Sequence, residues 1–129
     1  MEVIRKNILR IHGTFLVIVG IAMTVMVTVG RKQGIGIFKF LQENQLASIG
    51  FFEAFLLVSD LGLFLLNAST QENVRKYNLL AALIHVVLAS TNIIFWKFYE
   101  MVDGVIPGTI ATIAHFALIA VESWAGLKN

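Results

Sequence analysis

The chain contains no cysteine. That absence excludes disulfides, thiolate metal sites, iron–sulfur clusters held by this chain alone and CxxC redox chemistry. Proline occurs once, at Pro107, and no Pro/Gly/Ser linker or low-complexity tract breaks the chain. Charge is scarce: Asp, Glu, Lys and Arg make up 14% of the residues, against roughly 25% in a soluble domain. The formal net charge is +2. There is no basic stripe and no RNA-binding motif, so a pI near 9.2 does not point to nucleic acid. The phosphate-binding GxxxxGK[ST] and the zinc-protease HExxH are both missing. So is the Glu-x-x-His pair that ferritin-like di-metal bundles use.

What remains is overwhelmingly apolar. Hydrophobic residues are 57% of 129, and the mean hydropathy is +0.80. Four runs have the length of a bilayer-crossing helix: Ile8 to Gly30, Ile49 to Ser69, Leu79 to Tyr99 and Gly108 to Leu127. Arg31 and Lys32 stop the first run, and the polar segment TQENVRKYN follows the second. An open chain satisfies its backbone in lipid only as helix. Short connections make consecutive helices antiparallel neighbours. The expected fold is therefore an all-α integral membrane four-helix bundle in one four-span domain. The basic start (Arg5, Lys6, Arg10) resembles a signal peptide, but the run after it is too long for an h-region and lacks an A-x-A site. An uncleaved first span is expected.

Orientation follows from the basic residues. Arg5, Lys6, Arg10, Arg75, Lys76 and Lys128 fall on one side, and Arg31, Lys32, Lys39 and Lys97 on the other. That bias places both termini in the cytoplasm. Tyr77, Trp96, Tyr99 and Trp124 stand near span ends, as interfacial aromatics do. The first loop, Arg31 to Ser48, carries Phe38, Leu41 and Gln45 at helical spacing. Two forms fit: a short amphipathic helix at the interface, or a tight apolar plug over the bundle.

Ionisable residues inside these spans are the main functional lead. Polar pairs recur seven apart, at Glu53 and Asp60, His85 and Asn92, and His115 and Glu122, so each pair shares a helix face. Charges that face lipid cost several kcal/mol, which turns such residues toward a bundle interior. Counting from span ends predicts an inner group of His12, His85 and Glu122 with Asp60 near. It predicts an outer group of Glu53, Asn92 and His115, with Lys97 as the neutralising neighbour of Glu53. Three readings of these residues stand side by side. They are structural glue between helices, or ligands for haem or metal at His12, His85 and His115. Alternatively, they relay protons or line a pocket for a quinone or lipid. Gly13 and Gly20, seven apart, mark one small-residue face for close helix contact. Thr24 and Thr28 are expected to bond back to their own helix, and Asp103-Gly104 marks a turn.

Two segments also carry a family resemblance. The second span reads GFFEAFLLVSDLGLFLL. The third-to-fourth connection reads TNIIFWKFYEMVDGVIPG and leads into HFALIAVESWAGL. Together they resemble small four-helix bacterial membrane proteins of the DoxX-like kind. The features shared are a carboxylate early in the second span (Glu53), an Asp-Gly after the third (Asp103-Gly104) and a Glu late in the fourth (Glu122). Lys97 and Phe98 depart from the pattern where an arginine is common, as does Asp60 in a usually apolar stretch. The resemblance implies a bacterial inner-membrane location. Some proteins of that kind are small subunits of membrane oxidoreductase complexes that pass electrons to quinone, so the resemblance, with the polar interior, points to an accessory subunit or binding protein beside a larger redox complex. The alternatives are a haem- or metal-binding oxidoreductase, and an ion or proton pathway in a homo-oligomer. The expected partners are the lipid bilayer, other membrane subunits or a second copy, and no nucleic acid.

Overall fold

A computed structural model describes residues 1–128. Five α-helices follow one another: α1 (Glu2–Gln33), α2 (Gln45–Ala68), α3 (Arg75–Ile94), α4 (Trp96–Met101) and α5 (Val105–Leu127). A 3₁₀ helix, Gly36–Gln42, sits between α1 and α2. The described residues contain no strand, and α1, α2, α3 and α5 are each long and apolar enough to cross a membrane. Each exposes large apolar side chains: Ile18 is 62% exposed, Leu57 65%, Leu83 59% and Ile113 63%. In water such surfaces would associate. In a bilayer they are the expected lipid contact, so the chain is an integral membrane protein of four helical spans.

The chain forms two compact units. One is Ile11–Leu66, and the other joins Met1–Arg10 to the chain from Asn67 onward. In the first unit α1 and α2 form an antiparallel hairpin joined by backbone proximity. A Cβ on Gly13 would stand 2.7 Å from the Gly62 carbonyl oxygen, and one on Gly62 2.6 Å from the Gly13 oxygen. A Cβ on Gly20 would meet the Phe55 carbonyl at 2.7 Å. The expected small-residue face is therefore where two helix backbones meet, as such faces do in membranes. Thr24 and Thr28 donate to the carbonyls of Gly20 and Thr24, at 2.8 and 2.9 Å.

The 3₁₀ helix packs over the connected end of this hairpin. Its Phe38 and Leu41 are buried and join Val27 in a cluster that Phe40, Phe51 and Phe55 extend. Phe38 meets Phe51 edge-on at 5.7 Å and Phe55 at 6.0 Å between ring centres, an arrangement that aromatic quadrupoles favour. The short helix expected in the first loop is present, and its apolar face acts as the plug. Asn44 starts α2 by accepting the Ala47 N–H at 2.9 Å.

The second unit pairs α3 with α5. All four long helices begin before the spans expected from the sequence: α1 at Glu2 rather than Ile8, α2 at Gln45 rather than Ile49, α3 at Arg75 rather than Leu79 and α5 at Val105 rather than Gly108. The third ends at Ile94 instead of continuing to Tyr99. Phe95 leaves helical geometry (φ −98°, ψ 25°), and α4 begins as a separate turn of helix. Asp103 then takes the left-handed conformation (φ 57°) that an Asp tolerates in a turn, and Gly104 leads into α5. At the other end, Arg5 Nε donates to Ala125 O and Arg75 Nε to Gly126 O, each at 2.7 Å. Arg5 also donates to Lys128 O. Two guanidinium groups thus satisfy the orphan carbonyls of the α5 C-terminus and face its negative dipole end.

Candidate functional site: a polar ladder between α3 and α5

Apolar residues hold most of each span, and the exceptions on α3 are regularly spaced. Asn78, His85 and Asn92 are seven apart, and the next step of seven reaches Tyr99 in α4. Each step advances about 10.5 Å along one helix face. On the antiparallel α5, Glu122 and His115 descend by the same interval. The two rows meet rung by rung.

At the first rung Asn78 Nδ2 donates to Glu122 Oε2 at 2.6 Å. Both residues are 0% exposed. Asn78 Oδ1 is buried and has no hydrogen-bond partner among the described residues. At the second rung His85 Nδ1 and His115 Nδ1 stand 2.9 Å apart, with ring centres 5.1 Å apart. Two imidazole lone pairs repel at that distance, so a proton lies between them. One ring carries it on Nδ1 and the other accepts it. His85 is 1% exposed. At the third rung the donors run one way: Tyr99 Oη to Asn92 Oδ1 at 2.8 Å, Asn92 Nδ2 to Thr112 Oγ1 at 3.2 Å, and Thr112 Oγ1 to Gly108 O at 2.8 Å. Burial raises the pKa of the Tyr99 phenol above its ordinary value.

This arrangement corrects the depth grouping. His85 and His115, assigned to opposite groups, form one rung. Glu122 meets Asn78, and Asn92 meets Thr112 and Tyr99. The depth count fails because α3 begins at Arg75 instead of Leu79 and ends at Ile94 instead of Tyr99, so His85 lies near the middle of its helix, as His115 does in α5. His12 is buried at 3% exposure. Glu53 and Asp60 do not enter an interior: both are exposed, and neither makes a hydrogen bond or ion pair among the described residues. Asn78 and Thr112 were missed as site residues, and Tyr99 was read only as an interfacial aromatic. Extending the spacing of seven one step past each end of His85–Asn92 would have found Asn78 and Tyr99.

The donor geometry bears on the metal and haem readings. Among the described residues no group of three or more His, Asp or Glu side chains is placed to hold a metal ion. At about 2.0 Å per metal–nitrogen bond, axial nitrogens on opposite sides of an iron stand about 4 Å apart. The Nδ1 atoms of His85 and His115, 2.9 Å apart, are too close to be such a pair. The ladder is built for hydrogen bonds and proton positions. Comparisons with protein-family models, curated proteins and solved structures find no match for this chain.

Proposed function

We propose that the α3–α5 hairpin is a proton-relaying element of a small bacterial inner-membrane protein, both of whose termini are cytoplasmic. In this reading it is a DoxX-like accessory subunit of a larger redox complex that exchanges electrons with quinone. The observation that carries the relay is the 2.9 Å approach of the Nδ1 atoms of His85 and His115. Two neutral imidazoles joined at Nδ1 pass a proton along that bond and regain their starting tautomers through their outer nitrogens. Glu122 supplies a titratable carboxyl at one end of the ladder and Tyr99 a phenol at the other. The open acceptor at Asn78 Oδ1 gives an entering donor, such as water, a place beside Glu122. Ionisable groups inside membrane spans commonly serve such relays.

The test is proton flux in liposomes carrying the purified chain and a pH-sensitive dye. An imposed gradient should collapse faster than in empty vesicles. His115→Gln and Glu122→Gln should slow the collapse about tenfold, and Asp60→Asn should leave it unchanged. Equal flux in wild type and His115→Gln rejects the relay. The subunit reading is checked separately, by isolating the chain from membranes in mild detergent: a stable larger complex supports it, and a lone chain counts against it. A visible-region absorption band in the purified chain would favour the haem alternative.

A further inference from the structure

The α1–α2 hairpin carries a second polar feature, independent of the ladder. Where α1 ends and α2 begins, a cleft of about 520 Å³ opens, lined by Thr28, Arg31, Lys32, Ser48, Phe52 and Glu53. Arg31, Lys32 and Glu53 are all exposed, and none makes an ion pair or hydrogen bond among the described residues. Opposite charges that line one cleft without touching leave room for a ligand between them.

The order of donors and acceptors defines that ligand. Arg31 and Lys32 occupy the last turn of α1, at the end of the first span, and both line the cleft. Together they suit a phosphate. Thr28 lies one turn further into the span, and Glu53 more than one turn beyond Ser48. The Thr28 hydroxyl hydrogen is committed to Thr24 O, and that of Ser48 to Leu41 O and Asn44 O. These oxygens and the Glu53 carboxylate therefore offer acceptors only. Beside them, Ile49, Phe52 and Leu56 form an exposed apolar track along one face of α2 that runs past Glu53 into the span. From surface to span the cleft offers cations, then acceptors with an apolar track beside them that continues past Glu53.

From this order we infer that the cleft binds a monoacyl glycerophospholipid: a phosphate on Arg31 and Lys32, a free glycerol hydroxyl donating to Glu53, and an acyl chain along Phe52. A diacyl lipid presents ester oxygens at that depth, which cannot donate to a carboxylate. The recognition chemistry, a phosphate ester beside a free hydroxyl, is shared by soluble glycerol 3-phosphate, and the apolar track selects the lipid.

Native mass spectrometry of the detergent-purified full chain can read occupancy with 1-oleoyl-lysophosphatidic acid, dioleoyl phosphatidic acid and glycerol 3-phosphate. The lyso lipid should bind about tenfold tighter than the diacyl lipid. Glu53→Leu should erase that preference and leave diacyl binding intact. Arg31→Gln with Lys32→Gln should weaken both lipids about tenfold, and Lys39→Gln, outside the cleft, should change neither. All four positions are exposed, so folding is not at issue. Equal binding of the two lipids to wild type, or a preference that survives Glu53→Leu, overturns the assignment. Competition by glycerol 3-phosphate at the concentration of the lyso lipid would reassign the cleft to a soluble phosphate ester and overturn the lipid.

Discussion

The two helical hairpins solve the same problem differently. In a bilayer, apolar side chains gain little by leaving lipid for each other, so helix pairs need another reason to associate. α1 and α2 use proximity: Gly13, Gly20 and Gly62 let backbone atoms come within van der Waals reach. α3 and α5 use polarity: three rungs of hydrogen bonds span their contact. The carboxylates of the first hairpin, Glu53 and Asp60, are exposed, and the carboxylate of the second, Glu122, is fully buried. A hairpin held by glycines has its polar groups free for ligands. One held by polar rungs has them engaged with each other, where protons rather than solutes are exchanged.

That contrast can be broken at several points. The largest effect is expected from Gly13→Leu, because the atoms it would strike are the backbone of Gly62 and Leu66, which cannot swing aside. A loss of about 3 kcal/mol, at the upper end for overpacking, should appear in denaturant unfolding in micelles. Next comes Asn78→Leu, which leaves the Glu122 carboxyl buried without its amide donor; a loss of about 2 kcal/mol is expected in the same assay. Asn92→Ala should cost less, about 0.6 kcal/mol, the average for a hydrogen bond between membrane helices. Removing the exposed charge with Asp60→Leu should leave stability in micelles unchanged or slightly raised, since no partner is lost.

The smallest effect concerns pH. The Tyr99 phenol has its folded pKa raised by burial. Its contribution is therefore fully present below the ordinary tyrosine value near 10 and is lost as pH rises through the raised one. An alkaline fall in stability in wild type that Tyr99→Phe abolishes would confirm this assignment.

Much of this architecture was legible in the sequence. Four spans, their order, the glycine face of α1 and the threonine back-bonds follow from composition and from a spacing of three, four and seven. The faces of α3 and α5 were legible too, because His85, Asn92, His115 and Glu122 repeat with the helix. Their partners were not. Rung assignment depends on the register between helices, and depth counting needs the true ends of α3, Arg75 and Ile94, which no glycine or proline announces. Glu53 and Asp60 share a spacing of seven just as the others do. Periodicity tells which residues share a face, and only packing tells which way the face points. The cleft at Arg31, Lys32 and Glu53 was invisible for a related reason: its walls come from two helices joined by a loop whose apolar side chains fold inward.

The central claim is that a proton is shared across the α3–α5 contact. The most direct measurement is ¹⁵N NMR of the chain in bilayers with labelled histidine. The account predicts that His85 and His115 differ in Nδ1 protonation and show nitrogen–nitrogen coupling across one hydrogen bond, which His115→Gln abolishes. Two histidines both protonated only at Nε2, with uncoupled Nδ1 signals, would contradict it.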